Sequence, residues 1–218
     1  MNEFLYQQVK KSNIQVNQIF EVGVFFPQTS NVLGFINDGS NVTLVEPDPI
    51  CIKAIIDEFG KMPNVKLLQY AIFDPPGEIS LYRTNASTFV STLEMSPALI
   101  NDNYKPNEKD RFIAKAVKFD EIDPGDIDLI SIDVEGADWY ILKDMVSRPL
   151  IISVETHSKK YVNPNLGLIE NWMNDNQYVE WYKLGSDTVF IKKELFTEVL
   201  LPKEPNKLIK RIKRIFGK

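Results

Sequence analysis

The sequence predicts an α/β domain built on a mostly parallel sheet that closes with an antiparallel hairpin. Three observations predict it. Apolar, strand-like runs alternate with helical stretches along the chain. Several of those runs are continuous rather than alternating, "IDLISIDVEGAD" the most convincing of them, as in strands buried on both faces. The last two runs, 178–185 and 187–196, meet at Gly185-Ser186, a tight turn between antiparallel neighbours.

The elements follow in order. "NQIFEVGVF" (17–25) reads as the first strand, and 28–39 as a helix opened by Thr29 or Ser30 and stopped near Gly39. "NVTLVEPD" (41–48) is the second strand, and Pro49 suits the first turn of a helix over 49–61. "NVKLLQYAIF" (64–73) is the third strand. "DPPGEISLYRT" (74–84) is a Pro/Gly turn feeding an alternating, antiparallel strand. Residues 85–113 are polar and mixed and are expected to form a long loop, of the kind that serves as a lid or substrate-binding element. Strands over 114–122, 127–138 and 150–157 follow, with helices over 139–146 and 166–177, and then the closing hairpin. One domain is expected over 1–202, with a separate basic tail over 203–218.

Composition narrows the function classes. Hydrophobic residues make up 44% and charged residues 25%, the mix of a globular domain. A single cysteine, Cys51, excludes an internal disulfide framework and a multi-cysteine zinc site. The stretch "MNEFLYQQVKKSN" has no secretory-type apolar run, so the cytoplasm is the expected location. The net charge of −5 divides unevenly: 203–218 carries +6, leaving −11 for the rest. A body that acidic is not expected to bind nucleic acid. In the tail, Leu208, Ile209, Ile212, Ile215 and Phe216 recur at helical spacing among Lys and Arg. Two readings stand for 207–218: an end packed on the domain or solvated, or an amphipathic helix in peripheral contact with the inner membrane face.

In open α/β sheets ligands bind beyond the carboxyl ends of the strands, so the residues ending each strand are the site candidates. These are Glu21 and Gly23, then Glu46 and Asp48, Ala71, Asp133 and Glu135, and Glu155 with His157. Glu46, about 20 residues past the glycine turn, is placed to accept hydrogen bonds from a ribose diol. The turn "EVGVFFPQTS" has one glycine where a pyrophosphate cradle has several, which argues against NAD and FAD. It suits a phosphate-free ligand such as S-adenosylmethionine, with Thr29 and Ser30 available to its carboxylate. Asp133 and Glu135 leave a buried strand together, an arrangement that is costly unless hydrogen-bonded, paired or protonated. His157 is the only histidine of the chain. An oxygen site for Mg²⁺ from Asp133, Glu135 and Glu155 has no ligand spacing specific to it, so no metal is expected.

"LVEPDP", "AIFDPPGEISLY", "IDLISIDVEGADWYIL" and "PLIISVETH", in this order and spacing, resemble the FkbM family of S-adenosylmethionine-dependent methyltransferases over roughly 18–193. The resemblance implies the class I methyltransferase (Rossmann-like) fold, a seven-stranded sheet with a terminal antiparallel hairpin. It also implies O-methyl transfer, onto sugars of glycans or onto secondary metabolites. It matches Glu21 and Gly23 to the donor-site acid and glycine, Glu46 to the ribose acid and Glu155 to the acid ending strand five. Asp133, Glu135 and Gly136 match the family's Asp-x-Glu-Gly motif. The departure is "VFFPQTS", where the family has a second glycine after an asparagine. Thr29, Ser30, Asp48 and Ala71 complete the expected donor-binding set. The expected catalytic set is Asp133 as the base, His157 as the second candidate and Glu135 as an orienting acid. The altered turn keeps one competing reading in play, a catalytically inactive methyltransferase-fold binding module.

Overall fold

The computed structural model describes residues 3–93, 96–100 and 104–200. The tail over 203–218, with its two readings, lies outside the described residues. The chain opens with helix α1 (Phe4–Lys11), then β1 (Gln18–Val22), α2 (Leu33–Asn37), β2 (Asn41–Val45), α3 (Pro49–Phe59), β3 (Val65–Leu68) and β4 (Ala71–Ile72). Next come β5 (Gly77–Arg83), β6 (Thr88–Val90), α4 (Pro97–Ile100), β7 (Arg111–Val117) and β8 (Leu129–Ile132). The last third holds α5 (Trp139–Leu142), β9 (Ile151–Glu155), α6 (Leu166–Asp175), β10 (Tyr178–Leu184), β11 (Asp187–Lys192) and α7 (Lys193–Leu200).

The main sheet has seven strands in the order β3-β2-β1-β8-β9-β11-β10. The first five positions are parallel, and β11 pairs antiparallel with both β9 and β10. This is the class I methyltransferase arrangement that the sequence predicts. The chain steps outward from β1 through β2 to β3, then returns at β8 on the other side of β1. That reversal opens a crevice at the carboxyl ends of β1 and β8.

Both faces of the sheet are covered, which is why its strands carry apolar residues on both. Phe20, Val22, Ile130, Ile132, Ile152 and Val154 pack in one cluster with Ile141, Leu142, Ile169 and Met173 of α5 and α6. Ile19, Val42, Leu44, Leu129 and Ile151 pack in the other with Leu5, Val9, Phe35 and Ile55 of α1 to α3. Helix α1 has no counterpart among the predicted elements, because Leu5 and Val9 recur over only two turns.

Several predicted segments come out differently. The third strand, expected over 64–73, divides into β3 of the main sheet and β4 of a second sheet, and the strand expected over 114–122 ends at Val117. Residues 85–113, expected as one loop, contain β6, α4 and the start of β7. With β4 and β5 these strands form a second sheet, ordered β4-β7-β5-β6. The helix expected from Thr29 shrinks to α2, since Glu21 takes the Ser30 hydroxyl and the Asn31 amide at 2.6 Å each. The helix expected over 139–146 stops at Leu142 in α5, and the carboxylate of Asp123 accepts from the Val146 and Ser147 amides just beyond it. The last strand ends at Lys192, and 193–196, expected within it, begin α7, where Leu195 and Phe196 pack on the second cluster. Among the described residues no helix is long and apolar enough to cross a membrane.

Candidate active site

A cavity of about 390 Å³ lies at the crevice, a size within the range of small-molecule sites. Gly23, Phe25, Glu46 and Asp133 reach it from the ends of β1, β2 and β8, and Ala71 from β4. The β1 turn is zipped to its neighbours: Gly23 N–H donates to Val45 O and Asp133 N–H to Val22 O, both at 3.0 Å. Gly23 has φ +84°, and a Cβ built on it would stand 1.9 Å from the carbonyl oxygen of Asp133. Only glycine fits such an approach in the left-handed region.

Glu46 is buried, and its carboxylate is largely engaged. Oε2 accepts the Val24 and Phe25 amides at 3.1 and 2.8 Å, and Oε1 accepts the Asp48 amide at 2.9 Å. Phe25 holds φ +58° within this grip, a conformation that costs a non-glycine residue about 1–2 kcal/mol. The turn is therefore held in shape by the acid of the next strand. A carboxylate has about four acceptor positions. Glu46 keeps roughly one for a ligand hydroxyl.

The remaining expected donor-site residues divide. Thr29 lines the cavity, but its hydroxyl donates to Phe26 O at 2.8 Å. Glu21 and Ser30 are buried beneath the turn, bonded to each other. Asp48 caps α3, accepting the Ile50 amide at 2.7 Å, and pairs with Arg83. None of these last three lines the cavity.

The turn after β8 carries the expected catalytic acids. Asp133 and Glu135 line the cavity, and burial pushes the Asp133 carboxyl up to about 6. Glu135 has φ +55° and Gly136 φ +93°, so two successive left-handed residues re-aim the chain. Strain of this kind concentrates at functional sites. Asp138 fixes the turn from within: it accepts Asn163 Nδ2 at 2.7 Å, and the same nitrogen donates to Glu155 O at 3.0 Å. His157 lies outside this group. It is exposed, and its Nδ1 accepts from the Lys183 ammonium at 3.2 Å, which also donates to Thr156 Oγ1 at 2.8 Å. Glu155 ends β9 behind the cavity wall, buried and not lining it. Among the described residues, no group of three or more His, Cys, Asp or Glu is placed to hold a metal ion.

Residues that sequence reasoning missed are Asn31, on the β1 turn, and Asn85, Ser87, Thr88 and Phe89, on the β5–β6 hairpin, all lining the cavity. The alternation in "ISLYRT" marks the first strand of this hairpin, but the second, Thr88–Val90, is too short to leave one.

The buried acids make folding pH-dependent. Burial raises Glu21 to about 8, Glu46 to about 7 and Glu155 to about 9. Burial, then the charge of Asp133, raises Asp138 to about 7. Each binds its proton more firmly folded than unfolded, where carboxylates titrate near 4. Their stabilising contribution is complete below that range and is lost as the pH rises through about 7 to about 9. The thermal midpoint should fall by roughly 5–10 °C between about pH 5 and about pH 9. Scanning fluorimetry across that window checks it, and a rising midpoint contradicts it.

Residues 20–180 match the family model described as the methyltransferase FkbM domain. No curated protein matches the chain in sequence. Among solved structures it is similar to the candidate RNA methyltransferase PH1948 of Pyrococcus horikoshii, with 14% identity, 87% of this chain and 81% of that chain covered and a TM-score of 0.48. It is similar to the ribosomal protein L11 methylase of Lactobacillus delbrueckii subsp. bulgaricus, at 8% identity, 86% and 76% coverage and a TM-score of 0.45. It is also similar to the methyltransferase PaMTH1 of Podospora anserina, solved bound to SAH, at 12% identity, 86% and 76% coverage and a TM-score of 0.45.

Proposed function

Since the chain belongs to the methyltransferase FkbM domain family, with S-adenosylmethionine as methyl donor, we propose that it methylates a hydroxyl oxygen of a sugar, glycan precursor or related small molecule. One observation carries the reading. The cavity joins a close-packed glycine turn and a ribose-type acid, Gly23 and Glu46, to a half-buried carboxylate, Asp133. These residues fit the donor: the turn brings backbone to the cavity, and Glu46 keeps an acceptor position for one ribose hydroxyl.

S-adenosylmethionine, when bound, supplies a methyl carbon made electrophilic by its sulfonium. The chain's part is to hold an acceptor oxygen in line and to remove its proton. The Asp133 carboxylate is the base that takes this proton, and a positioned base contributes about 10²–10⁴-fold. With Asp133 raised to about 6 by burial, it is ionised, and able to accept, as the pH rises through that value. Glu135, re-aimed by its left-handed backbone, orients the groups around Asp133. Asn85, Ser87 and Thr88 offer neutral hydrogen-bonding groups to a hydroxyl-rich acceptor.

The test is methyl-labelled S-adenosylmethionine incubated with the protein and a panel of sugars, glycan precursors, RNA and protein, followed by NMR of the labelled product. The expected product is an O-methyl ether on a small hydroxylated acceptor. Label on RNA, on protein or on carbon contradicts the reading.

A further inference from the structure

Asp48 ties the end of the β5–β6 hairpin to the main sheet's helix α3. Its side chain is fully buried. Besides capping α3 through the Ile50 and Cys51 amides, it receives the guanidinium of Arg83 in a fork. Nε donates to Oδ2, and Nη2 donates to Oδ1 at 2.5 Å. Thr88 Oγ1 donates to Oδ2 as well, at 3.3 Å. Arg83 ends β5 and Thr88 begins β6, so one buried acid takes hold of both strands of the hairpin. The outer face of the guanidinium rests on the Phe112 ring, 5.2 Å from its centroid.

The hairpin is anchored at two places of different kinds. Ile72 of β4 and Val117 of β7 root the second sheet in the apolar core. At the far end of the hairpin, the pair with Asp48 is the ionic tie to the main sheet's helix. Between these points the hairpin forms a wall of the cavity, through Leu81, Asn85, Ser87, Thr88, Phe89 and Val90. Glu46 and Pro47, which line the same cavity, are Asp48's own chain neighbours. The clasp therefore closes beside the edge assigned to the donor's ribose.

We propose that Arg83 is a positioning residue which clasps the β5–β6 hairpin over the cavity, and so sets how tightly and how long the methyl donor and its demethylated product are held. The proposal rests on the reading of the cavity as a donor site. A planar guanidinium meets a carboxylate with two parallel bonds, which fixes orientation as well as distance; a lysine offers one. An outward movement of this wall breaks the pair. Removing Arg83 leaves Asp48 hydrogen-bonded to its two helix amides and Thr88 but without its cation, which destabilises the fold; Arg83→Lys keeps the charge and is the folding control.

The experiment compares wild type, Arg83→Lys and Arg83→Ala, using S-adenosylhomocysteine as the probe. Hydrogen exchange of 77–90, calorimetric affinity, dissociation rate and thermal midpoint are measured for each. In Arg83→Ala the exchange of 84–90 should quicken and the Kd should rise, each by about tenfold, chiefly through faster dissociation. Arg83→Lys should fall between, with a midpoint close to that of wild type, while Arg83→Ala melts lower. A purely structural brace would move the midpoint and leave the dissociation rate alone. An unchanged dissociation rate in Arg83→Ala overturns the proposal, whether or not the hairpin loosens. If wild type itself binds no S-adenosylhomocysteine, the donor-site reading fails first, and the proposal falls with it.

Discussion

Asp133→Asn is expected to lower methyl transfer by about 10²–10⁴-fold while leaving affinity for S-adenosylhomocysteine within about threefold. The asparagine keeps the shape of the side chain at the cavity wall and loses the capacity to accept a proton. The backbone bond from Asp133 N–H to Val22 O, which positions the turn, is untouched by the change. Stability should hold or improve. The charge of Asp133 is one of the factors raising Glu155 and Asp138, so its removal relieves a crowded set of buried acids. Loss of turnover with retained product binding and an unchanged or higher thermal midpoint is the expected combination. Near-normal turnover would remove Asp133 from the mechanism and leave the proton to another group.

Gly23→Ala should act on binding and on folding together. The added methyl would lie 1.9 Å from Asp133 O and 2.8 Å from Asp133 C, both backbone atoms that cannot turn aside. The left-handed φ of +84° adds its own cost to any side chain. Together these should destabilise the fold by about 2–4 kcal/mol and displace the β1 turn from β8. Gly136→Ala is the internal comparison. Gly136 also has a left-handed φ, +93°, but its added methyl would meet nothing closer than 3.7 Å. That variant should cost about 1 kcal/mol, the conformational part alone. Equal effects at the two glycines would mean that the contact with Asp133 is unimportant.

The sheet was legible because burial on both faces leaves a plain trace in sequence. "LISI" and "LIISV" are mostly apolar where ordinary half-exposed strands alternate. The strand-end acids were legible too, since topology sends every parallel strand's carboxyl end to one edge. What those acids do there was not. Glu46 spends three acceptor positions on amides at 24, 25 and 48, and Glu21 holds Ser30 and Asn31 from below. Such assignments depend on the path of the turn in space, which residue spacing does not reveal. Asp48 shows the same boundary within one side chain. Its cap on α3 is local and follows from "DP" before a helical run. Its pair with Arg83 joins residues 35 apart and appears only once the hairpin is folded. The hairpin itself was lost in a polar stretch, because β6 is three residues long and shorter than a readable alternation.

Calorimetric titration of S-adenosylmethionine and S-adenosylhomocysteine into wild type and Gly23→Ala tests the central claim most directly, that the cavity behind "EVGVFFPQTS" is a working donor site. The predicted result is micromolar binding of both compounds by wild type, weakened by about a hundredfold or more in Gly23→Ala protein that is still folded. Absence of binding to wild type, or binding that Gly23→Ala leaves unchanged, would contradict it and turn attention to the inactive binding-module reading.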